Sequence, residues 1–222
     1  MFIGHYSVAF VAATSPRAPR LGTLFVAAQL IDLGFFSFVL LGIEHMRLVP
    51  GVTAMNAMDL YDMPWTHSLI GALGWAAGFA GLIWLWRRSA TAAVIGGAVV
   101  LSHWLIDLLV HRPDLTLAGG PPPLGLGLWN WPAIEMPLEL ILAFGGLGFF
   151  LVRTRAIRAR AWLPVAMLAA AMVVTQAVNW FEPPPSAVID PPPPSLAISG
   201  LAAYVLLAAL AWWVARTREV KA

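Results

Sequence analysis

The chain has 222 residues, of which 60% are hydrophobic and only 11% charged, and its mean hydropathy is +0.79. A soluble domain of this length needs more charge to cover its surface, so the composition excludes an ordinary water-soluble globule and points to an integral membrane domain. A net charge of +2 excludes a strongly basic nucleic-acid binder, and the absence of cysteine excludes disulfides and thiolate metal sites, leaving His, carboxylate, amide and backbone ligands to any metal.

Residues 2–14 form an apolar run too short to cross a bilayer alone. The run lacks the basic leading region of a secretory signal and reads as a half-length or re-entrant helix. Six later runs reach the roughly 20 apolar residues that a spanning helix needs. They lie near 22–43, 66–86, 91–110, 134–152, 161–181 and 196–215. The predicted fold is all-α: a polytopic membrane helix bundle of six transmembrane helices plus a short N-terminal half-helix, in one domain over 1–222. Three loops lie on the same side, at 44–65, 111–133 and 182–195. The last, EPPPSAVIDPPPPS, is a proline-stiffened spacer that cannot continue a helix.

Orientation follows from the basic residues, which favour the cytoplasmic side. Arg17 and Arg20, Arg87 and Arg88, Arg153, Arg155, Arg158 and Arg160, and Arg216, Arg218 and Lys221 all fall on one side of a six-span arrangement. Arg47 and Arg112 fall on the other. Both ends of the bundle are therefore expected in the cytoplasm.

All five histidines, His5, His45, His67, His103 and His111, lie in or beside apolar segments, with Asp32, Asp62 and Asp107. Ionisable groups at membrane depth are costly and usually face a protein interior or water-filled cavity. The third span contains LSHWLIDLLVHRPDL, which places His103, Asp107 and His111 at i, i+4 and i+8, one helix face with steps of about 6 Å. At a helical rise of about 1.5 Å per residue, His5 and Asp32 both lie roughly 18 Å above the basic residues, and His103 roughly 22 Å. One cluster near the outer half of the membrane is thus possible, with His67, at the start of the second span, beside it. Imidazoles mixed with carboxylates are the ligand chemistry of zinc, manganese and iron. His45 reads instead as an interfacial structural residue, and His111 as either a ligand or the end cap of the third span. A bland alternative for the group is a buried polar network that locks the helices together. In the fourth span Pro137 is expected to disturb the helix start, Glu135 reads as interfacial, and Glu139 as facing the site, either as partner to a ligand or as proton acceptor. Asp62 is the other candidate proton acceptor. Ser68 and Ser102 read as packing residues, and Gln176 and Asn179 as interhelical hydrogen-bond partners.

GHYSVAF, QLIDLGFF, MPWTHSLIGAL, SHWLIDLLVHRPDL and GLGLWNWPA together resemble the YdjM-like membrane-bound metal-dependent hydrolases over about residues 1–152. QLID stands where that family's acidic element is often preceded by proline. The resemblance implies a multi-span inner-membrane hydrolase, with the family's polar positions falling on His5, Asp32, His67, His103 and Asp107. Residues 153–222 add two further spans. The resulting expectation is a hydrolase in which one or two divalent cations, zinc before manganese or iron, activate water against an ester or phosphoester of a lipid-like or small-molecule substrate. The alternatives are a metal-ion or proton transporter and a scaffold with a structural metal. Membrane lipid is the expected partner and nucleic acid is not.

Overall fold

The computed structural model describes residues 1–221. A short 3₁₀ turn, Ile3–His5, leads into α1 (Tyr6–Ala12), followed by α2 (Leu21–Ala28), α3 (Leu30–Leu40), α4 (Leu69–Arg87), α5 (Ala90–Val110), α6 (Pro132–Arg153), α7 (Trp162–Phe181) and α8 (Pro194–Ala215). Two small antiparallel strand pairs accompany the helices: β1 (His45–Leu48) with β2 (Met58–Asp62), and β3 (Thr154–Ala156) with β4 (Arg218–Val220). Five helices are long and apolar enough to cross a membrane, and the bent pair α2–α3 makes a sixth if it counts as one span.

Local chemistry sets the helix ends. Ser68 caps α4 by accepting from the Gly71 N–H at 3.0 Å, and Ser89 caps α5 by accepting from the Ala92 N–H. Pro132 and Pro194 occupy first-turn positions of α6 and α8, where a missing N–H costs nothing. Arg88, at φ 50°, makes the left-handed turn that folds α5 back along α4. That pair packs closely because the contact residues are small: a Cβ on Gly97 would stand 3.0 Å from the Ala76 carbonyl oxygen. Two expectations are corrected here. Helix α4 starts at Leu69, so His67 precedes it, because Ser68 is the cap and not a packing residue. Helix α6 runs through Pro137 from a start at Pro132.

The first span is bent by 52° between α2 and α3, at Gln29. No proline or glycine explains it. The Ala28 carbonyl, just before the break, accepts from His103 Nδ1 at 2.7 Å, and Gln29 Nε2 donates to the Phe2 carbonyl at 2.9 Å. Side chains inserted against the helical ladder are a recognised cause of kinks.

The N-terminal half-helix is enclosed by the bundle. Ile3, Tyr6 and Phe10 are fully buried. It lies so close to α6 that a Cβ on Gly146 would stand 2.9 Å from Ser7 Cα. One end of the bundle carries basic residues: Arg20, Arg87 and Arg216 line a common cavity there, and Arg155 and Arg218 sit on the β3–β4 pair. The other end is covered by loops. The β1–β2 hairpin is joined to the proline-rich loop through a Leu48–Ile189 bridge, and to the end of α5 by Arg112 pairing with the buried Asp59. Asp59 also accepts from Arg47 at 2.6 Å, which raises the Arg47 guanidinium above its ordinary value. Residues 116 and 117 accept from the first N–H groups of α4, tying the second loop to the same cap.

Gly146→Val should destabilise the protein by about 1–3 kcal/mol, the usual cost of overpacking a tight contact. A lowered unfolding temperature in detergent would register it, and retained stability would mean that α1 is not held against α6 this closely.

Candidate metal centre

Asp107 points from the last turn of α5 into a ring of imidazoles. Its Oδ1 lies 3.1 Å from His5 Nε2 and 3.5 Å from His111 Nε2, and its Oδ2 lies 2.9 Å from His103 Nε2 and 3.7 Å from His67 Nε2. The α-helical period puts His103 and His111 one turn to either side of Asp107. Asp32, in the first turn of α3, brings a second carboxylate: its Oδ1 is 3.4 Å from both His67 Nε2 and His103 Nε2. The bend at Gln29 precedes Asp32 by three residues and sets the direction from which it approaches. His5 arrives on the N-terminal turn and stacks on His103 with ring centroids 3.9 Å apart. The cluster is buried throughout, apart from Asp32, whose side chain is 17% exposed towards a cavity.

The hydrogen-bond partners fix which ring nitrogens carry protons. A carbonyl oxygen only accepts, so His103 Nδ1, at 2.7 Å from the Ala28 oxygen, is the protonated nitrogen. The Thr66 hydroxyl donates to Glu44 Oε2 at 2.6 Å and therefore accepts from His67 Nδ1 at 2.8 Å. His111 Nδ1 meets Asp114 Oδ1 at 2.8 Å. In all three rings Nδ1 is committed outward and Nε2 faces carboxylate oxygens, so either an Nε2 proton or a cation must lie between ring and carboxylate. Orientation of imidazoles by carbonyl, hydroxyl and carboxylate acceptors is the usual support of metal-ligating histidine. Three overlapping sets have ligand atoms within 4.8 Å of one another and are able to hold a metal ion: His5, His103 and Asp107; Asp32, His67 and His103; His67, Asp107 and His111. The donor set of imidazole and carboxylate suits zinc, manganese or iron.

The structure thus brings His5, Asp32, His67, His103, Asp107 and His111 together from four separate segments. It keeps Asp62 apart: that carboxylate pairs with His45 at 2.8 Å on the exposed face of the hairpin and does not line the cavity. Glu139 faces inward, but its oxygens are taken. Oε1 accepts from the backbone N–H groups of Phe2 and Gly4, and Oε2 accepts from Gln176 Nε2 at 2.8 Å. It positions the turn that delivers His5. Glu135 is not interfacial: it is fully buried, lines the same cavity, and neither of its oxygens has a hydrogen-bond partner among the described residues. A buried carboxylate left unpaired is costly and marks a place where something else is expected to bind or react.

Two further residues escape sequence reasoning. Tyr204 of α8 donates to Asp32 Oδ2 at 2.8 Å. Its only signal is a hydroxyl in the middle of an apolar helix. Glu44, buried and accepting from Trp65 N, Thr66 N and Thr66 Oγ1, anchors the turn before α4. The cavity beside the cluster measures about 330 Å³. The hairpin residues Met55, Met58 and Leu60 roof it, and Val174 and Val178 of α7 form part of its wall while remaining more than half exposed on the outside of the bundle.

No protein-family model, curated protein or solved structure matches the chain.

Thr66→Val keeps volume but removes the acceptor that orients His67. Affinity for zinc, measured by chelator competition, should fall roughly 10–100-fold, the usual cost of losing such support. Undiminished affinity would show that His67 is not held by this bond for ligation.

Proposed function

We propose that this protein is a membrane-embedded, metal-dependent hydrolase acting on an ester or phosphoester of an amphiphilic substrate. The observation that carries the reading is the convergence of four imidazole Nε2 atoms on two carboxylates beside a cavity that is also lined by Glu135, which has no hydrogen-bond partner among the described residues. His5, His67, His103, His111, Asp32 and Asp107 would hold one or two divalent cations, with zinc favoured by the imidazole-rich donor set. When bound, such a cation supplies Lewis-acid polarisation of a phosphoryl or carbonyl oxygen and a water acidic enough to attack near neutral pH.

The remaining work falls to the chain. Glu135, which lines the cavity and has no hydrogen-bond partner among the described residues, would take the proton of the attacking water at its carboxylate and return it to the leaving oxygen. Glu139 and Gln176 hold the N-terminal turn so that His5 stays in register. Tyr204 holds Asp32 by one oxygen and leaves the other facing His67 and His103. The roof of Met55, Met58 and Leu60 limits water from the loop side. Helix α7 packs substantially only on α8, and the cavity wall that it contributes faces the bilayer on its other side, which favours a lipid-like substrate arriving laterally.

A transporter is supported less well. Between the cluster and the basic end, Tyr6, Phe10, Phe25 and Phe150 stack edge and face into a continuous apolar plug. A channel needs polar groups along its path. The resemblance of the first 152 residues to YdjM-like hydrolases agrees with the same reading. So does an inner-membrane placement with the basic end cytoplasmic and the site towards the outer face.

Purified protein loaded with zinc or manganese should hydrolyse lipid phosphoesters or carboxylic esters, and chelation should stop it. His103→Ala should abolish both metal retention and turnover. Glu135→Gln should retain metal and lose 10²–10⁴-fold in kcat, the usual share of general acid–base catalysis. Full activity in the first variant would remove the cluster from the mechanism, and full activity in the second would remove Glu135.

A further inference from the structure

The basic end of the bundle carries a second cavity, of about 780 Å³, with no connection to the proposed chemistry. Three arginines converge on it from distant parts of the sequence. Arg20 immediately precedes α2, Arg87 ends α4 and Arg216 follows α8. Trp86, Trp212 and Trp213 form its apolar collar. Among the described residues, carboxylates pair with Arg47, Arg112 and Arg155, and none pairs with these three. The one internal commitment is a bond from Arg87 Nη1 to the Ala18 carbonyl at 2.7 Å.

Helix electrostatics account for part of this arrangement. A cation at a helix C-terminus is favourable, so Arg87 and Arg216 have a local reason to stand where they do. Arg20 does not. It occupies the N-cap of α2, the positive end of the helix, where a cation is disfavoured and its side chain makes no capping bond. Three like charges around one hollow without a counter-ion repel one another, and an anion in the hollow relieves that repulsion. Guanidinium forks match phosphate oxygens in a bidentate manner. The tryptophans decide between a free and a lipid-borne anion. Trp86 is 72% exposed at the rim, where an indole ring fits the headgroup level of a bilayer, and the other two ring systems rise with α8 on the same side.

We propose that this cavity binds the phosphodiester headgroup of an anionic membrane lipid, with its acyl chains descending along α4 and α8. Basic pockets between spanning helices on the side of the membrane rich in anionic lipid are suited to such headgroups. The site lies at the opposite end of α4 from His67, so its occupant is a bound lipid and not the substrate of the metal centre.

Native mass spectrometry of the full chain in neutral detergent, titrated with phosphatidylglycerol and with phosphatidylcholine, tests this directly. Phosphatidylglycerol should be retained at least tenfold more tightly. Arg20→Gln with Arg216→Gln should weaken it by roughly fivefold per arginine while zinc content stays unchanged. Equal retention of the two lipids by the unaltered protein would overturn the proposal without any variant being needed. So would unchanged phosphatidylglycerol binding in the double variant, or displacement of the lipid by millimolar inorganic phosphate, which would reassign the cavity to the free ion. None of these results bears on the hydrolase reading, whose metal and turnover measurements are made at the other end of the molecule.

Discussion

The placement of ring protons around Asp107 is the constraint on which the architecture turns. Each of three imidazoles gives its Nδ1 proton to an acceptor outside the cluster, and each acceptor belongs to a different part of the fold: a helix carbonyl freed by a bend, a threonine hydroxyl braced by Glu44, and an aspartate in the loop after α5. Six ionisable side chains packed this closely at membrane depth are untenable as neutral filler. The bend at Gln29, the turn before α4 and the folded-over outer loops are the backbone's answer to orienting those rings. A ring directed by an external acceptor is a fixed feature of the pocket, and fixed dipoles lower the reorganisation required when charge enters.

What could be read from the residues divides along physical lines. Helix α5 was legible because its polar residues repeat at four, and that spacing fixes a common face whatever surrounds it. The spans themselves follow from hydropathy, since backbone groups in lipid must be satisfied within the helix. His5 and Asp32 were placed only by counting rise from the basic residues, which gives depth but not direction. Glu135 and Glu139 share a face by the same four-residue step, yet which of them would be free was invisible: that depends on Phe2, Gly4 and Gln176, whose bonds to Glu139 join residues more than thirty positions apart. Tyr204 and Glu44 were missed for the same reason. The bend at Gln29 had no proline or glycine to announce it, and strands as short as β1 and β2 carry too few alternating residues to stand out from a loop.

The two ends of the molecule differ in how they treat charge. At the loop-covered end, carboxylates and imidazoles are drawn inward and roofed by methionine and leucine, and the arginines of the cap are neutralised by Asp59 and Asp114. At the other end, guanidinium groups stand around an open hollow with tryptophan beside them. Between the two lies an aromatic stack from α1, α2 and α6 that offers water no foothold. The asymmetry is the one that the proposed hydrolase centre and the proposed lipid site would each require of their own end.

The grip of Glu139 and Gln176 on residues 2–4 also imposes an order of events during biogenesis. The turn carrying His5 is made first, but the groups that hold it lie on α6 and α7, more than 130 residues downstream. Until those helices have left the ribosome and entered the bilayer, the turn lacks its bonds to Glu139 and Gln176 and is held only by Gln29 and by contacts with α5. His5 would therefore join the cluster last, once α6 and α7 are inserted, whereas the sets of Asp32, His67 and His103 and of His67, Asp107 and His111 need neither helix.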